Sequence, residues 1–164
     1  MTKTLDPLGA RDPLEVLGEL VPWLAERTHG LDESVLRQPE AAGKWSVIEV
    51  VQHLADTELV YGFRMRMVLT EDLPPLPGFD QDRWARDFRY REVQLEIALW
   101  QLRGVRIPNL RLWRSLSPQQ LERVGLHSER GPESAGQILR LMAAHDLVHR
   151  RQIERILGRA APSP

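Results

Sequence analysis

The run from Ser46 to about Leu69 limits the fold more than any other part of the chain. Ser46 is followed three residues later by Glu49, a capping-box signature that opens a long apolar run. The cluster Pro74-Pro75-Leu76-Pro77-Gly78 then forbids its continuation. A helix over 46–70 is about 36 Å long, so it needs partners of similar length to cover its apolar face. Three other segments qualify. Asp12-Pro13 places an N-cap before a proline at the first helical position and starts a helix over 13–28. Ser134 with Gln137 forms a second capping box and starts another over 135–158, closed by Gly158. A third spans 90–115, with Val93, Ile97, Trp100, Leu110 and Trp113 as expected core positions. No strand pattern stands out. One all-α domain over 1–164, built as a four-helix bundle, is the expected architecture.

Pro22 and Pro108 fall inside two of these helices, which predicts a kink in the first and a kink or break near Arg106 in the third. The connection between the second and third helices is roughly 17 residues and reaches about 55 Å when extended. A crossover along the whole bundle is therefore within reach.

His145 and His149 lie one turn apart in the last helix, so both imidazoles occupy one face. Ile138, Leu141, Met142, Val148, Ile153 and Ile156 place the apolar stripe on the same side, so the pair is expected to point inward. A buried imidazole needs a partner for each ring nitrogen. A shared metal ion supplies one, and so would hydrogen bonds within an ordinary core. His53, about two turns into the second helix and flanked by Val50, Leu54, Thr57 and Val60, can face the same interior.

The blocks Trp45-Ser46 leading into Gln52-His53-Leu54-Ala55-Asp56, and His145-Asp146-Leu147-Val148-His149-Arg150-Arg151-Gln152-Ile153, resemble the DinB family, also described as DinB/YfiT-like. That resemblance implies a bundle in up-down-down-up order with a long crossover between helices 2 and 3. It also implies a three-histidine metal site whose ligands would be His53, His145 and His149. Helix heights agree with it. His53 lies about 10 Å from the start of its helix, and His149 and His145 about 13 and 20 Å from the end of theirs. An antiparallel pairing of helices 2 and 4 brings them to nearly one level.

Three imidazoles leave at least one position of a divalent metal for water or substrate, the arrangement of catalytic rather than structural sites. Zinc or nickel is the expected ion, with iron a further candidate. Glu49 and Asp56, on either side of His53, are the candidate catalytic carboxylates, and Gln152 is placed to orient a ligand or water. Asp146 is expected to pair with Arg150 at i+4. His29 and His127 fall in expected loops, with His127 held as a reserve ligand.

The expected function is a metal-dependent enzyme acting on a small molecule, a thiol S-transferase using a low-molecular-weight thiol or a hydrolase. The alternative is a non-catalytic metal-binding stress or interaction module. Cysteine is absent, which excludes disulfides, thiolate ligands and an enzyme thiol nucleophile. A net charge of -1 supplies no field drawing the chain to nucleic acid or membrane. No leader-like or bilayer-spanning apolar run occurs, so a cytoplasmic location is expected. Trp84, Trp100 and Trp113 give the third helix and its approach more aromatic surface than one side of a small core needs, and a homodimer is expected.

Overall fold

A computed structural model of the chain describes residues 7–160, so both ends of the expected 1–164 domain lie outside the described residues. In chain order the elements are α1 (Pro13–Thr28), α2 (Glu33–Arg37), α3 (Val47–Thr70), β1 (Pro75–Leu76), α4 (Gln81–Asp87), a 3-10 turn at Tyr90–Glu92, α5 (Leu95–Trp113), α6 (Pro118–Leu121), β2 (Val124–His127), β3 (Gly131–Ser134) and α7 (Ala135–Ala160). The long helices α1, α3, α5 and α7 form the bundle. None is long and apolar enough to cross a membrane.

Their starts follow from side-chain capping. The Asp12 carboxylate accepts from the backbone N–H groups of Leu14 and Glu15 at 2.7 and 3.1 Å. The Ser46 N–H donates to the Glu49 carboxylate at 2.8 Å, and the Glu49 N–H returns a bond to the Ser46 hydroxyl at 3.4 Å. Ser134 and Gln137 repeat the exchange at 2.8 and 3.1 Å.

The third long helix starts later than the sequence suggests. No residue from 89 to 94 is a strong N-cap, Arg89 takes a left-handed conformation with φ 53°, and the chain makes a 3-10 turn before the helix begins at Leu95. Both α1 and α5 run unbroken through Pro22 and Pro108. A proline ring presses on the carbonyl four residues earlier, and in both helices that residue is a glycine, Gly18 or Gly104. Glycine lets that carbonyl tilt aside.

Contacts fix the helix directions. Gln101, Arg106 and Asn109 of α5 bond Asp56, Glu58 and Glu58 of α3 in ascending order, and Arg66 also bonds Asn109, so the two helices are parallel. A Cβ on Gly62 would lie 2.5 Å from the Asn109 side chain, so this close approach depends on glycine. Met65 and Val68 share a cluster with Ile138 and Met142, while Val47 and Val51 share one with Ile153 and Ile156, so α7 runs antiparallel to α3. Glu19 meets Arg150 and Arg27 meets Glu154, setting α1 parallel to α7. The order is up-down-down-up. Each of α1 and α7 packs on the other, and α3 packs on both α5 and α7, leaving α1 diagonal to α3.

A small sheet not foreseen in the sequence closes one end, with β1 parallel to β2 and β2 antiparallel to β3. Its strands are two to four residues long, too short for alternation to register.

The interior has two apolar segments, one around Leu17, Met65, Trp113 and Ile138 and the other around Leu24, Val51, Leu102 and Ile153. Between them runs a polar waist of Glu58, Arg106, Asn109 and Asp146, all buried. Leu110 and Trp113 are buried as expected, but the first half of α5 turns a different face inward. Ile97 and Trp100 are 48% and 69% exposed, whereas Leu95, Ala98, Leu102, Arg106 and Asn109 point in. On α7, Leu141 and Val148 likewise face out.

Candidate metal centre

Three imidazoles meet at the level of the waist. His53 projects from the second turn of α3, and His145 and His149 from successive turns of the antiparallel α7. His145 Nε2 lies 3.0 Å from His53 Nε2 and 3.1 Å from His149 Nε2. At Zn–N distances of about 2.0–2.1 Å, the edge of a tetrahedral ligand set is about 3.3 Å. These two separations are within a few tenths of an ångström of that spacing. All three residues can offer a ligand atom within 4.8 Å of one another, and no other such group of three occurs among the described residues.

The environment keeps these rings neutral. Burial pulls His53 down to about 3, with the neighbouring His149 adding to the effect. Burial also holds His145 well below the ordinary imidazole value, helped by His149, His53 and Arg106. His149 is lowered by burial, partly offset by its hydrogen bond to Gln152. A neutral imidazole has one nitrogen lone pair to give. At His149 the direction is fixed, because Nδ1 lies 2.8 Å from the Gln152 side-chain oxygen and donates to it, leaving Nε2 to accept within the cluster. Gln152 thus orients a histidine, as its spacing suggests.

Trp45 supplies a wall. Its ring centroid is 4.8 Å from that of His53 and 6.5 Å from that of His149, nearly parallel to the latter. The residue stands immediately before the N-cap Ser46, the position at which an apolar side chain pins the entry to a helix. That sequence signal was sufficient to find it.

The two candidate carboxylates are placed differently. Glu49 is buried, capped by the Ser46 N–H, and accepts from Arg91 Nε at 2.9 Å on its other oxygen. It lines, with Trp45, His149 and Gln152, a cleft of about 740 Å³. Asp56 is turned towards α5, where it accepts from the Tyr90 hydroxyl at 2.5 Å, from Gln101 at 2.6 Å and from Gln52 at 3.1 Å. That Asp56 bond and burial push the Tyr90 hydroxyl upward, so it remains protonated. Tyr90 and Arg91 thereby fasten the crossover to α3.

Asp146 does not pair with Arg150 as its spacing suggests. It takes a two-point contact from Arg106 at 2.7 and 3.3 Å, and the same guanidinium donates to Glu58 at 2.8 Å and to the Leu17 carbonyl at 2.7 Å. Arg150 reaches Glu19 instead and lies over the Trp23 ring. Sequence spacing cannot reveal this partner, which is 40 residues away.

His127, expected in a loop, is instead buried at the end of β2 and lies outside the histidine cluster. Its Nδ1 accepts from the N–H of Glu129 at 3.1 Å. It lines a second, smaller cleft of about 170 Å³ that also borders His53 and His145. His29 is exposed after α1. Of the tryptophans expected to supply a dimer face, Trp113 is core at 1% exposure, whereas Trp100 is on the surface.

Known proteins resemble this chain in sequence and in fold. The DinB superfamily model matches residues 23–153. Two proteins of Oceanobacillus iheyensis, each named "Putative metal-dependent hydrolase", are similar in sequence. The first is 30% identical over 118 residues, covering 72% of this chain and 68% of the relative. The second is 27% identical over 131 residues, covering 80% and 75%. In three dimensions the chain is similar to YfiT from Bacillus subtilis, described as "a probable metal-dependent hydrolase with an unusual four-helix bundle topology". That match has a TM-score of 0.85 at 26% identity and covers 92% of this chain and 87% of the other.

Proposed function

This chain belongs to the DinB superfamily, and from that membership and the geometry of the cluster we propose that it is a metal-dependent hydrolase of small molecules. The observation that carries the reading is an incomplete ligand set bordered by two clefts. His53, His145 and His149 supply three neutral nitrogens, His149 borders the larger cleft, and His53 and His145 border the smaller one. Structural sites are closed, whereas a three-ligand site open to a cleft is of the catalytic type. A nitrogen-only set with no thiolate suits zinc or nickel, with iron a further candidate. Bound there, the ion would act as a Lewis acid and lower the pKa of water.

The protein's own groups complete the site. Gln152 holds His149 in the tautomer that presents Nε2. Trp45 covers the rings against bulk water. Glu49 is the better placed of the two carboxylates to accept a proton, since it lines the larger cleft and each oxygen retains a free lone pair after its bonds to Ser46 and Arg91. Asp56 acts through Tyr90 and Gln101 as an anchor for the crossover.

A second reading is transfer of a small acidic thiol, since Lys44, Arg86, Arg89 and Arg91 outnumber Glu49, Asp82 and Glu92 in the lining of the larger cleft. The test combines elemental analysis with turnover. Wild type should hold about one divalent metal per chain and cleave activated esters or amides in a chelator-reversible manner. His53→Ala, His145→Ala and His149→Ala should each lose both while staying helical. Metal content equal to wild type in any of these variants removes that residue from the site. Chelator-sensitive consumption of thiol in place of hydrolysis selects the transferase. Metal binding with neither activity selects a non-catalytic module.

A further inference from the structure

Two residues that line the smaller cleft each carry a buried polar atom that the fold leaves unsatisfied. Thr57 Oγ1 and Arg64 Nε are buried and have no hydrogen-bond partner among the described residues. Their residues are only 6% and 3% exposed. Unmade bonds of this kind are rare in native interiors, and each costs about 1–3 kcal/mol. His53, Thr57, Tyr61 and Arg64 are spaced for one face of α3, and all four line this cleft.

Arg64 is held rather than loose. Its guanidinium lies 5.2 Å from the Tyr61 ring centroid and 6.0 Å from that of Phe79, and its Nη2 donates to the Pro77 carbonyl. Arg130, the other cation of the lining, is already committed to Glu133 through two bonds. The Glu129 carboxylate lies against Gly78, where an added Cβ would be 2.9 Å from its Oε1. Arg64 and Thr57 therefore each bring an unpaired donor to the lining, which also carries the Glu129 carboxylate.

We propose that the smaller cleft is an anion subsite, in which Arg64 and Thr57 receive a carboxylate of the substrate while its reacting group lies at the histidine cluster. Thr57 stands one turn from His53, about 6 Å along the helix, so the two groups are separated by a short linker. The cleft holds the equivalent of about six waters at about 30 Å³ each, which limits the substrate end it accepts to a small acyl or amino-acid-sized group. Arginine suits a planar carboxylate, which it can grip at two points. The inference rests on the hydrolase reading for the reacting end, but the subsite itself consists of this chain's own side chains.

The experiment follows the Arg64 Nε–H resonance by NMR, assigned from its loss in Arg64→Lys, during titration with glutarate and with neutral glutaramide. Chelated and zinc-loaded wild-type protein are both titrated. Glutarate should shift the resonance in both forms and glutaramide in neither, and Thr57→Val should weaken the glutarate response several-fold. Zinc binding with no glutarate shift overturns the subsite and leaves the hydrolase reading intact. A glutarate shift in a protein that takes up no zinc does the reverse. Equal shifts from glutarate and glutaramide overturn the subsite, because they show that charge is not what it recognises.

Discussion

Replacing Arg106 with methionine tests the polar waist most directly. The guanidinium is 3% exposed and bridges two carboxylates, Glu58 and Asp146, that are 0% and 3% exposed. Methionine keeps most of the volume and removes the charge. Both carboxylates then lose their cation, and the Leu17 carbonyl loses a donor. Removing one partner of a buried ion pair costs about 3–5 kcal/mol, which for a domain of this size lowers Tm by about 6–20 °C. The deficit also depends on pH. Burial already raises Glu58 and Asp146, and Arg106 is the main influence holding them down. Without it both carboxyls rise further above their unfolded values. A folded carboxyl with a raised pKa contributes stability at low pH that is lost as pH climbs through that value. The gap between wild type and Arg106→Met should therefore be largest near pH 8 and shrink towards pH 5. Urea denaturation of both proteins in chelator, at each pH, measures this gap free of metal linkage and of titrations common to both. A gap below about 1 kcal/mol, or one that does not change with pH, would refute the account of the waist.

Three further expectations concern the site and its surroundings. The lowered His53 makes the metal-free protein sensitive to acid, since stability present above about pH 6.5 is lost as pH falls towards the folded value of about 3. His53→Gln, which does not titrate, should lose less between pH 7 and 5, and parallel losses would show that His53 is not responsible. Gln152→Leu frees the His149 ring and should weaken metal binding about 10–100-fold in competition with a chelator, whereas unchanged affinity would mean that the hydrogen bond orients nothing. We also propose a homodimer through the outer face of α5, where Ile97, Trp100 and Ile107 are all exposed. Light scattering at micromolar concentration should give twice the 18.9 kDa chain mass, and a monomer ends the proposal.

The helix ends legible in the sequence are those where a side chain caps the backbone. Asp12, Ser46 and Ser134 each announce a start that the structure keeps. The start of α5 was not legible because Gln94 makes no cap bond and the preceding turn is held by Tyr90 reaching Asp56, a contact across 34 residues. The face of α5 was misread for a related reason. Its buried side includes Arg106 and Asn109, which look solvated in a linear pattern and are buried only because Glu58 and Asp146 meet them. The histidine pair on α7 could be read from spacing, and His53 through the family resemblance, with which the helix heights agree. The smaller cleft could not, since it joins α3 to the Phe79 and His127 regions through the sheet.

The diagonal placement of α1 and α3 affects how the chain can be made. In an ordinary up-down bundle the first two helices to leave the ribosome form a hairpin and bury each other's apolar stripes. Here they cannot, because each packs on α5 and α7, which emerge later. The nascent N-terminal half has apolar surface and no partner for it, and non-local pairing of this kind slows folding. His53 must also wait for His145, 92 residues further on. Metal capture by the complete triad thus waits for α7, the last of the four bundle helices to be synthesised and the one that closes the site.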